Sequence, residues 1–278
     1  MAAVENIMRG CLGIAVFIGI AVLLSENRKA IAWRVVVAGL LLQFVLAALV
    51  IHVPFVRAGV ELVGMFFVKF LGFTTEGSRF LFGSLIDREK NGMVFALAVL
   101  PSIVFFSAFT AALYYLGILQ KIVYALAWLV SKTMKLSGPE TLSASANVFL
   151  GQTEAPLLIR PWLAGMTRSE ILCVMIAGMA TVAGAVMVAY IQLLGGGDPR
   201  QQLIYATHLL TASVISVPAA LMISKVLLPQ TEPVDTSLHL AKARNGINLL
   251  DAICSGTTEG IKLAVNVGAM LLVFTAMV

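Results

Sequence analysis

Gln152, Thr153 and Glu154 stand side by side in the stretch NVFLGQTEAP (147–156), between a glycine and a proline and inside an otherwise apolar run. Gln152 and Thr153 can each donate and accept hydrogen bonds, and an ionised Glu154 accepts two or more. Such a trio suits a polar, uncharged ligand with donors and acceptors of its own. Free backbone carbonyls, with Asn147 nearby, suit a small cation. The alternative is a polar staple that holds helices together. A further alternative makes Glu154 the general base of an intramembrane enzyme. That chemistry needs a partner nucleophile or metal, yet His52, His208 and His239 lack metal-ligand spacing and neither HExxH nor GxSxG occurs. A non-enzyme is expected.

Elements that position such a trio must be membrane helices. The 278 residues are 60% hydrophobic and 12% charged, with a mean hydropathy of +0.97, far from the composition of a soluble domain. The net charge of +5 comes from basic residues spread over short loops, so no nucleic-acid patch forms. Cys11, Cys173 and Cys254 lie in unrelated apolar contexts, and no disulfide framework or zinc site is indicated.

A spanning helix needs ~20 apolar residues. Residues 7–24, 31–51, 93–117, 170–194 and 202–228 qualify, and a last apolar run begins near 262. No signal-peptide cleavage site follows the first run, so it is read as a membrane helix. Residues 55–85 intersperse Arg57, Glu61, Lys69, Glu76 and Arg79 among Phe, Leu and Val, which suits an amphipathic interfacial helix. Residues 229–248 form an extended polar loop. Arg28, Lys29 and Arg34 place the loop 25–34 in the cytoplasm by the positive-inside tendency, with the amino terminus outside. TTEGSR (74–79) and TTEGIK (257–262) share a pattern that suggests two related halves; chance or a shared helix-start preference also explains it. The final VNVGAMLLVFTAMV is about three-quarters of a crossing, so the chain is expected to be incomplete.

Residues 137–163 read as a re-entrant hairpin. Ser137 and Glu140 form a capping box for a short helix over roughly 139–149. Gly151 interrupts it, and Thr153 caps a second short helix with Pro156 in its first turn. Arms of ~10 residues are ~15 Å long, half of a ~30 Å core, which puts the tip near mid-membrane. Thr167 and Glu170 form a second capping box for the next helix. Within that helix Gly178, Thr181 and Gly184 are three apart. Such spacing fits close packing through small residues, or a local unwinding that turns carbonyls and the Thr181 hydroxyl toward the hairpin tip. Pro218 is expected to kink its helix.

NVFLGQTEAPLLIRP (147–161), MTRSE (166–170) and GMATVAGAVM (178–187) resemble the signature hairpin and following helix of the concentrative nucleoside transporters. FLFGSL (80–85), LPSIVFFSA (100–108), YYLGI (114–118) and LAVNVGAML (263–271) are similar to its members as well. The resemblance implies a nucleoside symporter driven by a sodium or proton gradient through alternating access, with no cofactor beyond the coupling ion. It implies a homotrimer in the lipid bilayer of the plasma membrane, in a bacterium the inner membrane. It also implies nucleoside contacts at Gln152, Thr153, Glu154 and Val186. The implied cation set is Asn147, Leu150, Thr181 and Val182, the leucine and valine through their carbonyls. Thr181 stands where the family often has serine, which keeps the hydroxyl and leaves sodium use open. Family members continue past this point with a second hairpin that supplies the ribose contacts; by this comparison the chain alone is expected to carry half a site and not to transport. A truncated non-transporting subunit, or a transporter of another small polar solute, stays as the alternative.

The expected fold is thus an all-α polytopic membrane protein with about six transmembrane helices, interfacial helices and one re-entrant helical hairpin, an inverted-repeat transporter with its second repeat incomplete. Residues 1–52 supply amino-terminal scaffold helices and 53–118 an interfacial and a scaffold helix. Residues 119–164 hold the hairpin region and 165–228 the transport-domain helices. Residues 229–278 hold the polar loop, an interfacial helix and the start of another scaffold helix.

Overall fold

The computed structural model describes residues 2–238 and 246–278; His239 and the 239–245 part of the polar loop lie outside the described residues. Every regular element among the described residues is helical. The first is α1 (Ala2–Leu23), whose apolar part, Met8–Leu23, is shorter than the five helical segments able to cross a membrane by length and composition. Arg28 donates to the Val22 and Leu23 carbonyls and so closes the open end of α1.

Helix α2 (Trp33–His52) is apolar all round and buries only Val36, Gly39 and Leu42, so most of its surface is left for lipid. It must stop at His52, because Val53 precedes Pro54 and is extended (φ −99°, ψ 107°). Pro54 then opens α3 (Pro54–Phe82). Gly64, Phe67, Phe70, Leu71, Thr74 and Ser78 form its buried stripe. Arg57, Lys69, Glu76 and Arg79 lie on the open side, the amphipathic character expected of 55–85. The stripe meets the next long helix through aromatic rings, closest between Phe70 and Phe105, whose centroids are 4.3 Å apart.

Two single turns, α4 (Arg88–Asn91) and α5 (Phe95–Ala98), lead into α6 (Leu100–Tyr115), with Pro101 in its first turn. The amphipathic α7 (Ile118–Met134) was not separately expected; at helical spacing it buries Leu119, Val123 and Ala127 in a cluster with the hairpin, and Val130 and Met134 in a second cluster that also holds α2 residues. The hairpin begins with α8 (Gly138–Ala146). The expected span 170–194 is two helices, α9 (Arg168–Ala180) and α10 (Gly184–Gly195), separated by Thr181, Val182 and Ala183. Helix α11 (Pro199–Leu227) is capped by Asp198, runs continuously through Pro218, and packs along α2, α3, α9 and α10.

The separate interfacial helix and scaffold start expected within 229–278 are one continuous helix, α12 (Leu249–Met277), capped by Asn248. Its Gly256 and Gly260 lie against α6; a Cβ on Gly256 would stand 2.8 Å from the Ser107 carbonyl oxygen, and one on Gly260 2.8 Å from the Val104 Cα. Small residues four apart let the two backbones touch. The TTEG copies lie inside α3 and α12 and start neither helix.

Candidate functional site

Two interruptions of helical structure meet in space. The first interruption is the hairpin tip. The Ser137 backbone N–H donates to Glu140 Oε1 at 2.9 Å, as the capping-box reading requires. Helix α8 ends at Ala146, and turns over Asn147–Glu154 follow.

The second arm departs from expectation. It is 3₁₀ over Ala155–Ile159 and again over Leu163–Gly165, not a ten-residue α-helix, and Glu154, not Thr153, occupies the cap position. Pro156 does lie in its first turn. Pro156 and Pro161 both lack an amide donor within this arm, while Arg160 keeps α dihedrals (φ −47°, ψ −41°) ahead of Pro161. Bonds three residues apart replace the α ladder: Leu157 N–H to Glu154 O at 3.0 Å and Trp162 N–H to Ile159 O at 2.9 Å.

The second interruption is Thr181–Ala183. Thr181 (φ −113°, ψ 155°) and Ala183 (φ −57°, ψ 142°) are both extended. The unwound segment lies against the tip: the Gly184 N–H donates to the Phe149 carbonyl at 3.1 Å. A Cβ on Gly178 would stand 2.8 Å from Gln152 Cβ, and one on Gly184 2.5 Å from the Phe149 oxygen and 2.4 Å from the Phe106 ring. Both readings of the glycine spacing therefore hold together: the glycines pack closely, and what they pack against is the hairpin.

A cavity of about 550 Å³ opens where the interruptions meet. Gln152, Thr153, Glu154 and Val186 all line it, as do Thr181 and Val182. Gln152 and Thr153 are exposed to it, while Glu154 is half-buried and its backbone N–H donates to the Gly151 carbonyl at 3.0 Å. Asn147 and Leu150 lie behind the tip. Asn147 is buried, its amide nitrogen donates to the Ser143 carbonyl at 3.1 Å, and its Oδ1 has no hydrogen-bond partner. Leu150 lines a second cavity of about 400 Å³, which Glu154 also borders and which Glu259 of α12 faces. The Thr181 hydroxyl donates to the Ala177 carbonyl at 2.9 Å, and the Val182 N–H to Ser213 Oγ of α11 at 3.4 Å.

Ser107 and Thr110 of α6 border both cavities and were missed from sequence. Polar residues three apart in an apolar helix are a usable signal, but Thr110 bonds its own backbone at the Phe106 carbonyl, as an isolated helix would. Among the described residues no group of three or more His, Cys, Asp or Glu is placed to hold a metal.

Three sequence-family models match in succession: "Na+ dependent nucleoside transporter N-terminus" over residues 12–85, "Nucleoside recognition" over 96–197, and "Na+ dependent nucleoside transporter C-terminus" over 208–278. A Haemophilus influenzae protein named as an uncharacterized transporter is 40% identical over 275 residues, covering 98% of this chain and 64% of that protein. Sodium/nucleoside cotransporter 1 of Homo sapiens is 40% identical over 268 residues, covering 95% of this chain and 39% of the human protein. Among solved structures, CNTnw in an inward-facing substrate-bound state aligns with a TM-score of 0.89 at 39% identity, over 98% of this chain and 65% of that one. An outward-facing variant of CNTnw aligns with a TM-score of 0.86 at 38% identity, over 97% of this chain and 63% of that one. The chain spans less than two thirds of each of these proteins.

Proposed function

The chain belongs to the concentrative nucleoside transporter family, and from that premise we propose that it forms the hairpin-bearing part of a sodium-coupled nucleoside symporter. The observation that carries this reading is the contact between the two interruptions. A polar tip and an unwound helix segment close on one cavity, and within a membrane non-helical backbone is tolerated only inside protein or along water.

In this reading Gln152, Thr153 and Glu154 bind the nucleoside base, whose donors and acceptors match theirs, and Val186 packs beside it. The coupling ion is held by oxygen, as a hard cation requires. Asn147 Oδ1, buried without a partner, and the Thr181 hydroxyl are the side-chain donors. The Leu150 and Val182 carbonyls, in segments where helical bonding stops, complete the set. Both ligands share the tip, so filling one subsite orders the other. That shared ordering is the physical basis of symport. Moving one monovalent cation down a 100 mV potential yields ~2.3 kcal/mol, enough for roughly fifty-fold accumulation.

The hairpin, α9, α10 and α11 form the transport domain in this proposal, and α1, α2 and α6 belong to the scaffold or its borders. The assembly is a homotrimer in the bacterial inner membrane, as in the family it resembles. Support for membrane insertion comes from five helical segments long and apolar enough to cross, of which the α2 window is only 17% buried.

The test is uptake of labelled uridine by the protein expressed from its complete reading frame, in cells lacking nucleoside uptake. It is run under a sodium gradient, then a proton gradient, beside Glu154→Gln. Sodium-dependent uptake whose uridine KM rises about tenfold in the variant supports the proposal. Uptake under the proton gradient alone removes sodium as the coupling ion, and no uptake under either removes the nucleoside.

A further inference from the structure

We propose that Lys225 is a positioning residue for the cation subsite, fixing the far ends of the two helices that carry its side-chain ligands. The inference rests on the functional reading above. Lys225 lies near the end of α11 and is 3% exposed, and Glu140 is 1% exposed. The Lys225 Nζ stands 2.6 Å from Glu140 Oε2, 3.0 Å from Ser169 Oγ and 3.4 Å from Gln230 Oε1. The ammonium thus meets three parts of the chain, through an ion pair to α8 and hydrogen bonds to Ser169 of α9 and Gln230 in the segment after α11.

Each acceptor is itself tied down. Glu140 uses its other oxygen to cap α8 at the Ser137 N–H. Ser169 Oγ donates to the Leu228 carbonyl at 2.6 Å, and Thr167 Oγ1 donates to Gln230 Oε1 at 3.0 Å. The segment continues over the start of α8, where the Gly138 N–H donates to the Asp235 carbonyl at 2.9 Å. A Cβ on Gly138 would stand 2.0 Å from the Ser237 oxygen, so only glycine admits this strap.

Both α8 and α9 begin at this cluster; α9 leads to Thr181, which lines the cavity, and α8 leads to Asn147, just behind the tip. Asn147 lies about two turns along from Glu140, and Thr181 about three turns along from Ser169. One helix therefore carries the Asn147 oxygen and the other the Thr181 hydroxyl, and their separation depends on where the two helices start. A short helix is stiff, so a shift at its first turn reappears at its last. Apolar residues of similar volume commonly replace a buried ion pair without loss of stability. Fixing a register is the best-attested use of such a pair. Here the register is that of α8 against α9.

The experiment removes both charges together, which avoids leaving either buried alone. The complete reading frame carrying Lys225→Met with Glu140→Gln is compared with wild type for the sodium dependence of labelled-uridine uptake. Normal amounts of the double variant, a half-saturating sodium concentration raised at least about tenfold, and a uridine KM at saturating sodium within about twofold of wild type would support the assignment. Should the double variant fail to accumulate, Ser169→Ala, which takes one acceptor from the ammonium, must raise half-saturating sodium about twofold or more. Unchanged half-saturating sodium in a well-folded variant overturns the positioning role alone. Sodium-independent uptake by wild type overturns the functional reading, and the positioning role with it.

Discussion

The pairing of α6 with α12 and the pairing of the hairpin tip with the α9–α10 break use the same device, glycine at a backbone contact, for opposite ends. Gly256 and Gly260 let two uninterrupted helices touch along their length. Neither helix is interrupted along that contact. Gly178 and Gly184 instead bring together two places where helical bonding has stopped, and the freed groups turn toward a cavity or bond one another, as Gly184 N–H does with Phe149 O. Close approach is common to both regions. What differs is whether the backbone has polar groups left over once it arrives.

The comparison can be broken most severely at Gly184. Its Cβ in Gly184→Ala would meet backbone and ring atoms at 2.4–2.5 Å, and overpacking of this kind costs about 1–3 kcal/mol or more. Both thermal stability and uptake are expected to fall sharply, as read by a detergent melting curve and uridine transport. Gly256→Ala meets Ala111 Cβ at 2.5 Å and is expected to cost a similar ~1–3 kcal/mol of stability. Protein that survives should keep its wild-type uridine KM and half-saturating sodium, because none of the residues proposed to bind nucleoside or cation belongs to α6 or α12.

Glu154→Gln should be milder in stability and selective in function. A tenfold rise in uridine KM corresponds to about 1.4 kcal/mol, while half-saturating sodium stays within about twofold. Thr181→Ala should show the reverse selectivity, and Thr181→Ser should behave as wild type because the hydroxyl is kept. The smallest effect is expected at Arg57→Ala. Its partner Glu61 is 2.9 Å away on the same helix face and neither is buried, so stability, read from a detergent melting curve, should change by about 0.5 kcal/mol or less.

What could be read from the sequence follows from how local each signal is. The capping boxes at Ser137–Glu140 and Thr167–Glu170 were legible because both partners lie within one turn. The convergence of Gln152, Thr153, Glu154 and Val186 was legible through the family resemblance, and the interruption at Thr181 through its glycine spacing. The second arm was misread because Pro156 in a first turn suits an α-helix and a 3₁₀ turn alike, and no local residue in the sequence distinguishes the two there. The region from 249 onward was divided in two because Glu259 and Lys262 sit where a span was not expected to begin; Leu249–Met277 is nonetheless one helix, paired internally through those two charges. Lys225 was invisible for the plainest reason. A lysine near the end of an apolar helix looks like a snorkelling anchor, and only tertiary structure brings Glu140 and Ser169 to it.

The central claim is that tip and break form one site in which cation and nucleoside order each other. The most direct measurement is uridine binding to the purified full-length protein as a function of sodium, for wild type and Asn147→Ala. The account predicts that uridine affinity rises with sodium in wild type and is nearly independent of sodium in the variant, since the shared tip has lost its buried oxygen. Uridine affinity equally sodium-dependent in both proteins, or independent of sodium in wild type, would contradict it.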